Sequence, residues 1–366
     1  MYLQSLHLHH FRNYTDQVVT FQGQQTILIG DNAQGKSNLL EAIVLLATLH
    51  SPRVQRDADL VQMGQALAQI EGYILRQPDP VELTLVLRAS GRRTLAVNQR
   101  VQRRQVDFWG YLRAVFFSCL DLELVRGSPG QRRDWLDHIL VQLEPLYSQL
   151  LQDYQRVVRQ RNALLRQETV TPAQLAPWDE LLVQTGARLM HRRAQLIDRL
   201  QPLVQTWHQR ISQAGEQLTV AYAPAVAVRE GARIQEEFRR QLAAKAMVER
   251  LQKTTLVGPH RDEVIFTLNG QLARHYASQG QQRTLVLALK LAELELLEKA
   301  FGETPLLLLD DVLAELDPKR QRHLLAVIAD RVQTIITTTD LDRFEPPWLT
   351  QAQQLLVQQG RIYPRG

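Results

Sequence analysis

Apolar and polar residues alternate along residues 2–8, a short β-branched stretch covers 18–21, and an apolar run at 26–29 ends in Gly30. Alternation of period two and short apolar runs bounded by glycine predict strands, so the chain should open on three of them. From Asn38 the period changes. Leu39, Leu40, Ile43, Val44, Leu46 and Ala47 recur at helical spacing, which places a glycine-rich segment between a strand and a helix. Four further strand patterns, at 66–75, 81–87, 94–97 and 115–117, are separated by Gly, Pro and Asn signals.

Residues 132–208 have a different texture, rich in Leu, Gln and Arg, with Leu146, Leu150, Leu151, Tyr154, Val157 and Val158 at helical intervals. They predict an inserted helical arm, broken into several helices at Thr171-Pro172, Pro177 and Pro202 and too short for a long coiled coil. Strands resume after Leu218, and 264–268 runs into the turn Asn269-Gly270. An apolar helix over 279–300 stops before Pro305. A strand at 306–310, a helix over 318–330, a strand at 334–338 and a hairpin turn at Gln359-Gly360 close the pattern. The expected fold class is α/β, with a head domain built from two halves, 1–131 and 209–366, around the arm at 132–208.

Composition changes this picture only at the margins. The 366 residues, 45% hydrophobic and 22% charged, suffice for a sizeable core, and no apolar stretch is long enough to span a bilayer. The N-terminal residues carry neither a basic leader nor an apolar signal core, and the single Cys119 has no partner for an internal disulfide, so a reducing cytoplasmic setting is expected. Cys119 itself reads as a small buried residue beside an apolar strand. A net charge of +5 suits a polyanionic partner, yet many soluble proteins with no nucleic-acid role are as basic.

The chemistry begins at Gly30-Asp31-Asn32-Ala33-Gln34-Gly35-Lys36-Ser37, a full match to G-x-x-x-x-G-K-S. Such glycines let backbone N–H groups curl around phosphate oxygens at a helix N-terminus, the lysine reaches the terminal phosphates, and the serine hydroxyl is available to Mg2+. ATP and Mg2+ are therefore the expected cofactors. The run Leu306-Leu307-Leu308-Leu309 delivers Asp310 and Asp311 to the end of a strand, where ligands gather in α/β sheets. Asp310 is assigned to the metal, and Asp311, with Lys36, to catalysis, the carboxylate orienting the attacking water. Ser278-Gln279-Gly280-Gln281-Gln282-Arg283 opens the long apolar helix, where Ser278 serves either as a plain N-cap or as a ligand contact.

The order of phosphate loop, S-x-G-Q, acidic strand and Glu315-Leu316-Asp317 resembles the ABC-type ATPase heads of the SMC class. The resemblance implies that Ser278, Gln279 and Gly280 contact the nucleotide bound by a second subunit, so that ATP joins two heads. Adding Phe11-Arg12-Asn13-Tyr14, Gly127-Ser128-Pro129 with Arg132-Arg133 and Leu136-Asp137, and Gly258-Pro259-His260-Arg261-Asp262, nearly the whole chain resembles the RecF family. That resemblance implies an ATP-dependent DNA-binding homodimer that hydrolyses ATP slowly, recognises gapped single-strand/double-strand DNA and acts with RecO and RecR to place RecA. It also places Arg12 near the nucleotide, the other reading being a solvated surface arginine.

Cys119-Leu120 stands where the family often has Pro-Glu, and Thr337-Thr338-Thr339-Asp340 stands where transporter ATPases carry a histidine. A threonine hydroxyl is a poor base, which accords with slow turnover. His260 and Arg261 line either a DNA or subunit surface or merely a proline-containing loop. Arg156, Arg159, Arg161, Arg166, Arg188, Arg192 and Arg193 form either a phosphate-tracking surface or solvated helix faces. The alternative from another class is the ATPase subunit of an ABC transporter, which would need a coupling surface for a membrane partner in place of the arm.

Overall fold

The structure, a computed structural model, describes residues 1–212, 215–226, 231–329, 331–342 and 344–365. The chain begins with β1 (Tyr2–Phe11), β2 (Tyr14–Thr20), β3 (Gln25–Ile29), α1 (Lys36–Thr48), β4 (Leu67–Leu75), β5 (Val81–Arg88), β6 (Arg93–Val97), β7 (Arg100–Gln102) and β8 (Ala114–Ser118). There follow α2 (Glu123–Arg126), α3 (Pro129–Leu143), α4 (Tyr147–Leu165), α5 (Pro172–Ser212), β9 (Leu218–Ala223), α6 (Gly231–Gln252), β10 (Glu263–Leu268), β11 (Gln271–Leu272), α7 (Ala273–Tyr276) and α8 (Gln279–Phe301). It closes with β12 (Leu306–Asp310), α9 (Val312–Glu315), α10 (Pro318–Ile328), β13 (Thr334–Thr338), α11 (Pro346–Gln351), β14 (Gln353–Gln358) and β15 (Arg361–Pro364). The expected strands and the apolar helix are present. The short edge strand β7 carried no sequence signal, and position 330 of the expected helix lies outside the described residues.

Two compact units share the chain. The first comprises residues 1–121 and 293–366, the second residues 122–292. In the first, an antiparallel sheet of order β2-β1-β4-β5-β6-β7 and a largely parallel sheet of order β15-β14-β3-β13-β12-β8 share one apolar core with α1. Alternation explains the antiparallel sheet: Val81, Leu83, Leu85 and Leu87 of β5 are buried while the residues between them are half-exposed. The parallel strands β12 and β13 are buried at every position, β12 as an apolar run that ends in Asp310 and β13 as a β-branched run of threonine and isoleucine.

The expected arm, 132–208, lies inside the second unit, but that unit also takes in 122–131 and 209–292. Hydrogen bonds explain the wider grouping. Gln201 of α5 accepts from the Val220 N–H of β9 at 2.6 Å, while Arg161 of α4 donates to Glu249 of α6 at 2.6 Å. A three-stranded sheet of order β11-β10-β9 completes the unit.

The prolines correct one expectation. Pro172 does begin a helix, but α5 continues through Pro177 and Pro202 for 41 residues, about 60 Å at 1.5 Å per residue. Both prolines are exposed, so the carbonyls they release face water, while Leu182, Val183, Leu189, Leu196, Leu200, Val204 and Trp207 bury one continuous stripe. The arginines bring a second correction. Arg161 and Arg193 are buried and structural rather than available to a phosphate backbone: Arg161 binds Asp179 and Glu249, and Arg193 binds Asp137 and Asp262. Arg156, Arg159, Arg166, Arg188 and Arg192 remain exposed.

Arg193 donates from Nε and Nη2 to the two Asp137 oxygens at 2.9 and 2.8 Å and from Nη1 to Asp262 at 3.1 Å. Removing a cation from such a pair leaves buried carboxylates unbalanced. Arg193→Met should therefore lower unfolding free energy by about 3–5 kcal/mol in urea titration, whereas a loss under about 1 kcal/mol would show that Asp137 and Asp262 do not depend on it.

Candidate nucleotide site

The parallel sheet brings the site together. β3, β13 and β12 are consecutive neighbours, and register pairs Thr338 with Ile29 and Thr337 with Asp310, so the loop after β3 and the carboxylate of β12 emerge at the same sheet edge with β13 between them. The loop at 30–37 leads directly into α1, which Lys36 begins. Its two glycines are required by space. A Cβ on Gly30 would lie 2.3 Å from the Val357 carbonyl oxygen, and one on Gly35, at φ 121°, would lie 2.7 Å from Asn13 Nδ2. The loop is braced from behind: Tyr14 OH donates to the Gly35 carbonyl at 2.9 Å, Asn13 Nδ2 to that of Gln34 at 2.9 Å, and the Gly360 N–H to Gln34 O at 3.0 Å.

Within the loop, Lys36 Nζ donates to the carbonyls of Gly30 and Asp31 at 2.7 and 2.8 Å. Burial holds the Lys36 ammonium below the usual lysine pKa, and the charges of Asp311, Asp310 and Asp31 pull it partly back. Ser37 Oγ donates to Asp310 Oδ1 at 2.7 Å, and so does Thr337 Oγ1 at 2.8 Å. Arg53 Nη2 meets Asp310 Oδ2 at 3.0 Å. The Asp311 N–H donates to Thr337 Oγ1 at 2.9 Å, in a residue held at φ 57°, and the Asp311 carboxylate has no hydrogen-bond partner among the described residues. Asp317 caps α10 through the N–H groups of Lys319 and Arg320.

The sequence-assigned residues Gly30, Gly35, Lys36, Ser37, Asp310 and Asp311 thus converge in the first unit. Arg12, at φ 55°, has other partners: it grips the fully buried Glu41 with two bonds of 2.9 Å and donates to the Asp59 carbonyl at 2.8 Å. Arg53 and Glu41 went unnoticed in the sequence, because an arginine in a loop and a glutamate in an apolar helix carry no local motif. Cys119 is exposed rather than buried, because β8 ends at Ser118 and the next residue leaves the sheet.

In the second unit, Ser278 shows the capping geometry: its Oγ accepts from the Gln281 N–H at 3.3 Å and its own N–H donates to Gln281 Oε1 at 2.7 Å. Ser278 and Gln279 are exposed and Gly280 half-exposed, so the start of α8 faces outward. His260 is held internally, with Nδ1 2.5 Å from the Tyr154 hydroxyl and Nε2 3.0 Å from the Thr255 carbonyl. Arg261 is exposed.

A P-loop between a parallel strand and a helix, facing an acidic strand end one strand away, defines a nucleotide-binding head of the ABC type. The family model described as the RecF/RecN/SMC N terminal domain matches residues 2–347. The DNA replication and repair protein RecF of Thermosynechococcus vestitus is 57% identical over 367 residues, covering 99% of this chain and 97% of its own, and that of Acaryochloris marina is 54% identical, with 99% of both chains covered. Solved structures of the recombination mediator protein RecF in the RecFOR pathway, in the RecF-ATPrS and RecF-ATP forms, match with TM-scores of 0.93 and 0.92. Each is 30% identical and covers 100% of this chain and 98% of its own. An Smc head domain from Pyrococcus furiosus shares the fold at a TM-score of 0.57 and 17% identity, covering 100% of this chain and 96% of its own. The chain belongs to the RecF family.

Burial is the first cause that holds the His260 pKa below the usual histidine value, and Arg261 and Arg133 add to it against Thr255 and Asp262. With the folded value lowered, the unfolded chain takes up the proton first, so stability from this residue is full above about pH 6.5 and is lost as pH falls through the folded value. His260→Gln should flatten the fall of melting temperature between pH 7 and pH 5, and an unchanged slope would place the acid sensitivity elsewhere.

Proposed function

We propose that this chain is an ATP-dependent DNA-binding protein of recombinational repair and replication-fork maintenance. It binds ATP, dimerises on it, engages gapped single-strand/double-strand DNA, hydrolyses ATP slowly in a DNA-dependent manner, and acts with RecO and RecR to load RecA. The observation that carries the reading is the Ser37–Asp310 pair at the mouth of the phosphate loop, in a chain related over its full length to proteins named for replication and repair. Family membership favours this reading over a transporter subunit, and the exposed arm arginines supply charge for a phosphate backbone.

The N–H groups of Gly30, Asp31, Asn32, Ala33, Gln34 and Gly35 are the cradle for the phosphates, and Lys36 exchanges the Gly30 and Asp31 carbonyls for phosphate oxygens. Ser37 and Asp310 form an all-oxygen donor pair of hydroxyl and carboxylate, which suits Mg2+ completed by phosphate oxygens and water; when bound, that ion neutralises charge on the transferring phosphoryl group. Asp311, unpaired beside it, orients the attacking water while Lys36 stabilises the developing charge. Arg12 acts on the nucleotide side of the loop, held ready by Glu41. Ser278, Gln279 and Gly280 of a second subunit close over the bound phosphates, the serine through its hydroxyl and the exposed helix start through the N–H groups of Gln279 and Gly280.

Sedimentation of two variants tests the composite site. Ser278→Arg should keep single-head ATP affinity within about two-fold yet lose the ATP-dependent dimer, and a normal dimer would refute the shared site. Asp311→Asn should keep the dimer and cut turnover by at least about 100-fold, and continued hydrolysis would move the water-orienting role to another residue.

A further inference from the structure

Asp310 is only 6% exposed, and its two oxygens are unequally used. Oδ1 takes the hydroxyl protons of Ser37 and Thr337, while Oδ2 is left to Arg53 Nη2 at 3.0 Å. Arg53 is not a stray surface side chain that happens to reach inward. Its own N–H and that of Val54 both donate to Ser51 Oγ at 3.0 Å, and Ser51 Oγ donates at 2.6 Å to the buried Glu41, which Arg12 grips from the other side. The guanidinium also reaches Asn38 Oδ1 at 3.3 Å, one residue beyond Ser37. A turn tied to the core therefore presents a cation to the carboxylate assigned to Mg2+.

Ser37 can keep its proton on Oδ1 and still offer a lone pair to a metal, so the oxygen that a divalent cation or its bound water must take is Oδ2. Arg53 and the divalent cation then seek one oxygen of one nearly buried carboxylate, with the Lys36 ammonium already nearby, and the summed positive charge disfavours simultaneous occupancy. We propose that Arg53 is a positioning residue that competes with the divalent cation for Asp310 Oδ2, so that it sets the cation concentration at which nucleotide binds and heads join. This rests on the reading that Ser37 and Asp310 hold Mg2+. Displacement frees the Arg53 side chain, while its turn stays tied to Glu41 through Ser51.

The test is a Mg2+ titration of the full chain with a fixed concentration of N-methylanthraniloyl-ATP, followed by fluorescence and, in parallel, by sedimentation. Arg53→Gln should lower the half-saturating Mg2+ concentration by roughly five-fold while leaving affinity at saturating Mg2+ unchanged, the size expected of a half-exposed ion pair. Arg53→Lys, which keeps the charge with a single-point contact, should fall between, and it stands in should the glutamine variant not fold. An unchanged or raised Mg2+ midpoint overturns the proposal. So does a loss of affinity at saturating Mg2+, which would make Arg53 a nucleotide ligand. In an Asp310→Asn background the Arg53→Gln shift should vanish. If Asp310→Asn itself leaves the Mg2+ dependence untouched, the metal assignment fails, a result distinct from failure of the competition alone.

Discussion

The carboxylate of Asp310 is the point on which the site depends. It sits at the end of a strand that is buried throughout, and four elements meet on it: the strand itself, the helix that begins at Lys36, the neighbouring strand with Thr337, and the turn that carries Arg53. A charge this well enclosed is tolerable only when its oxygens are satisfied. Here the donors come from segments far apart in sequence, so the same bonds that satisfy the charge also fix the relative positions of the phosphate loop, the acidic strand and the loop after α1. Stability and chemistry share one constraint.

Arginine organises both units in a similar way. In the first, Arg12 clamps Glu41, which is buried in the helix that follows the phosphate loop. In the second, Arg161 ties α4 to α5 and α6, while Arg193 ties α3 to α5 and to the segment before β10, where Asp262 also accepts from Tyr222 and the Ala225 N–H. A guanidinium with five donors in a fixed fork can join several helices and satisfy itself, which a buried lysine cannot do. The basic character of the arm is accordingly divided: part of it is internal scaffolding, and only the exposed remainder is available to a polyanion.

The elements that were legible in the sequence are those with local causes. Alternation gave β1, strand patterns between Gly, Pro and Asn signals gave β4 and β5, the helical period gave α1, an apolar run ended by Pro305 gave α8, and Asn269-Gly270 gave its hairpin turn. The misreadings share a cause as well. Pro177 and Pro202 looked like breaks because a proline always costs a backbone bond, yet that cost is small where the released carbonyl faces water and the opposite stripe is packed. Cys119 looked buried because its neighbours are apolar, but the sheet ends one residue earlier.

For the site, the sequence by itself determined the chemistry available: glycines where side chains would collide, a lysine and a serine at a helix start, and two carboxylates after an apolar run. These follow from residue type and spacing, which local sterics and periodicity control. Only the tertiary structure decided the partners. That Arg53 and Thr337 would share Asp310, that Arg12 would face Glu41, that Arg161 and Arg193 would be buried and that His260 would be held by Tyr154 all depend on which segments the sheets and helices bring together. Such contacts join residues up to 257 positions apart in the case of Arg53, and no local pattern encodes a bond whose second half is supplied by the fold.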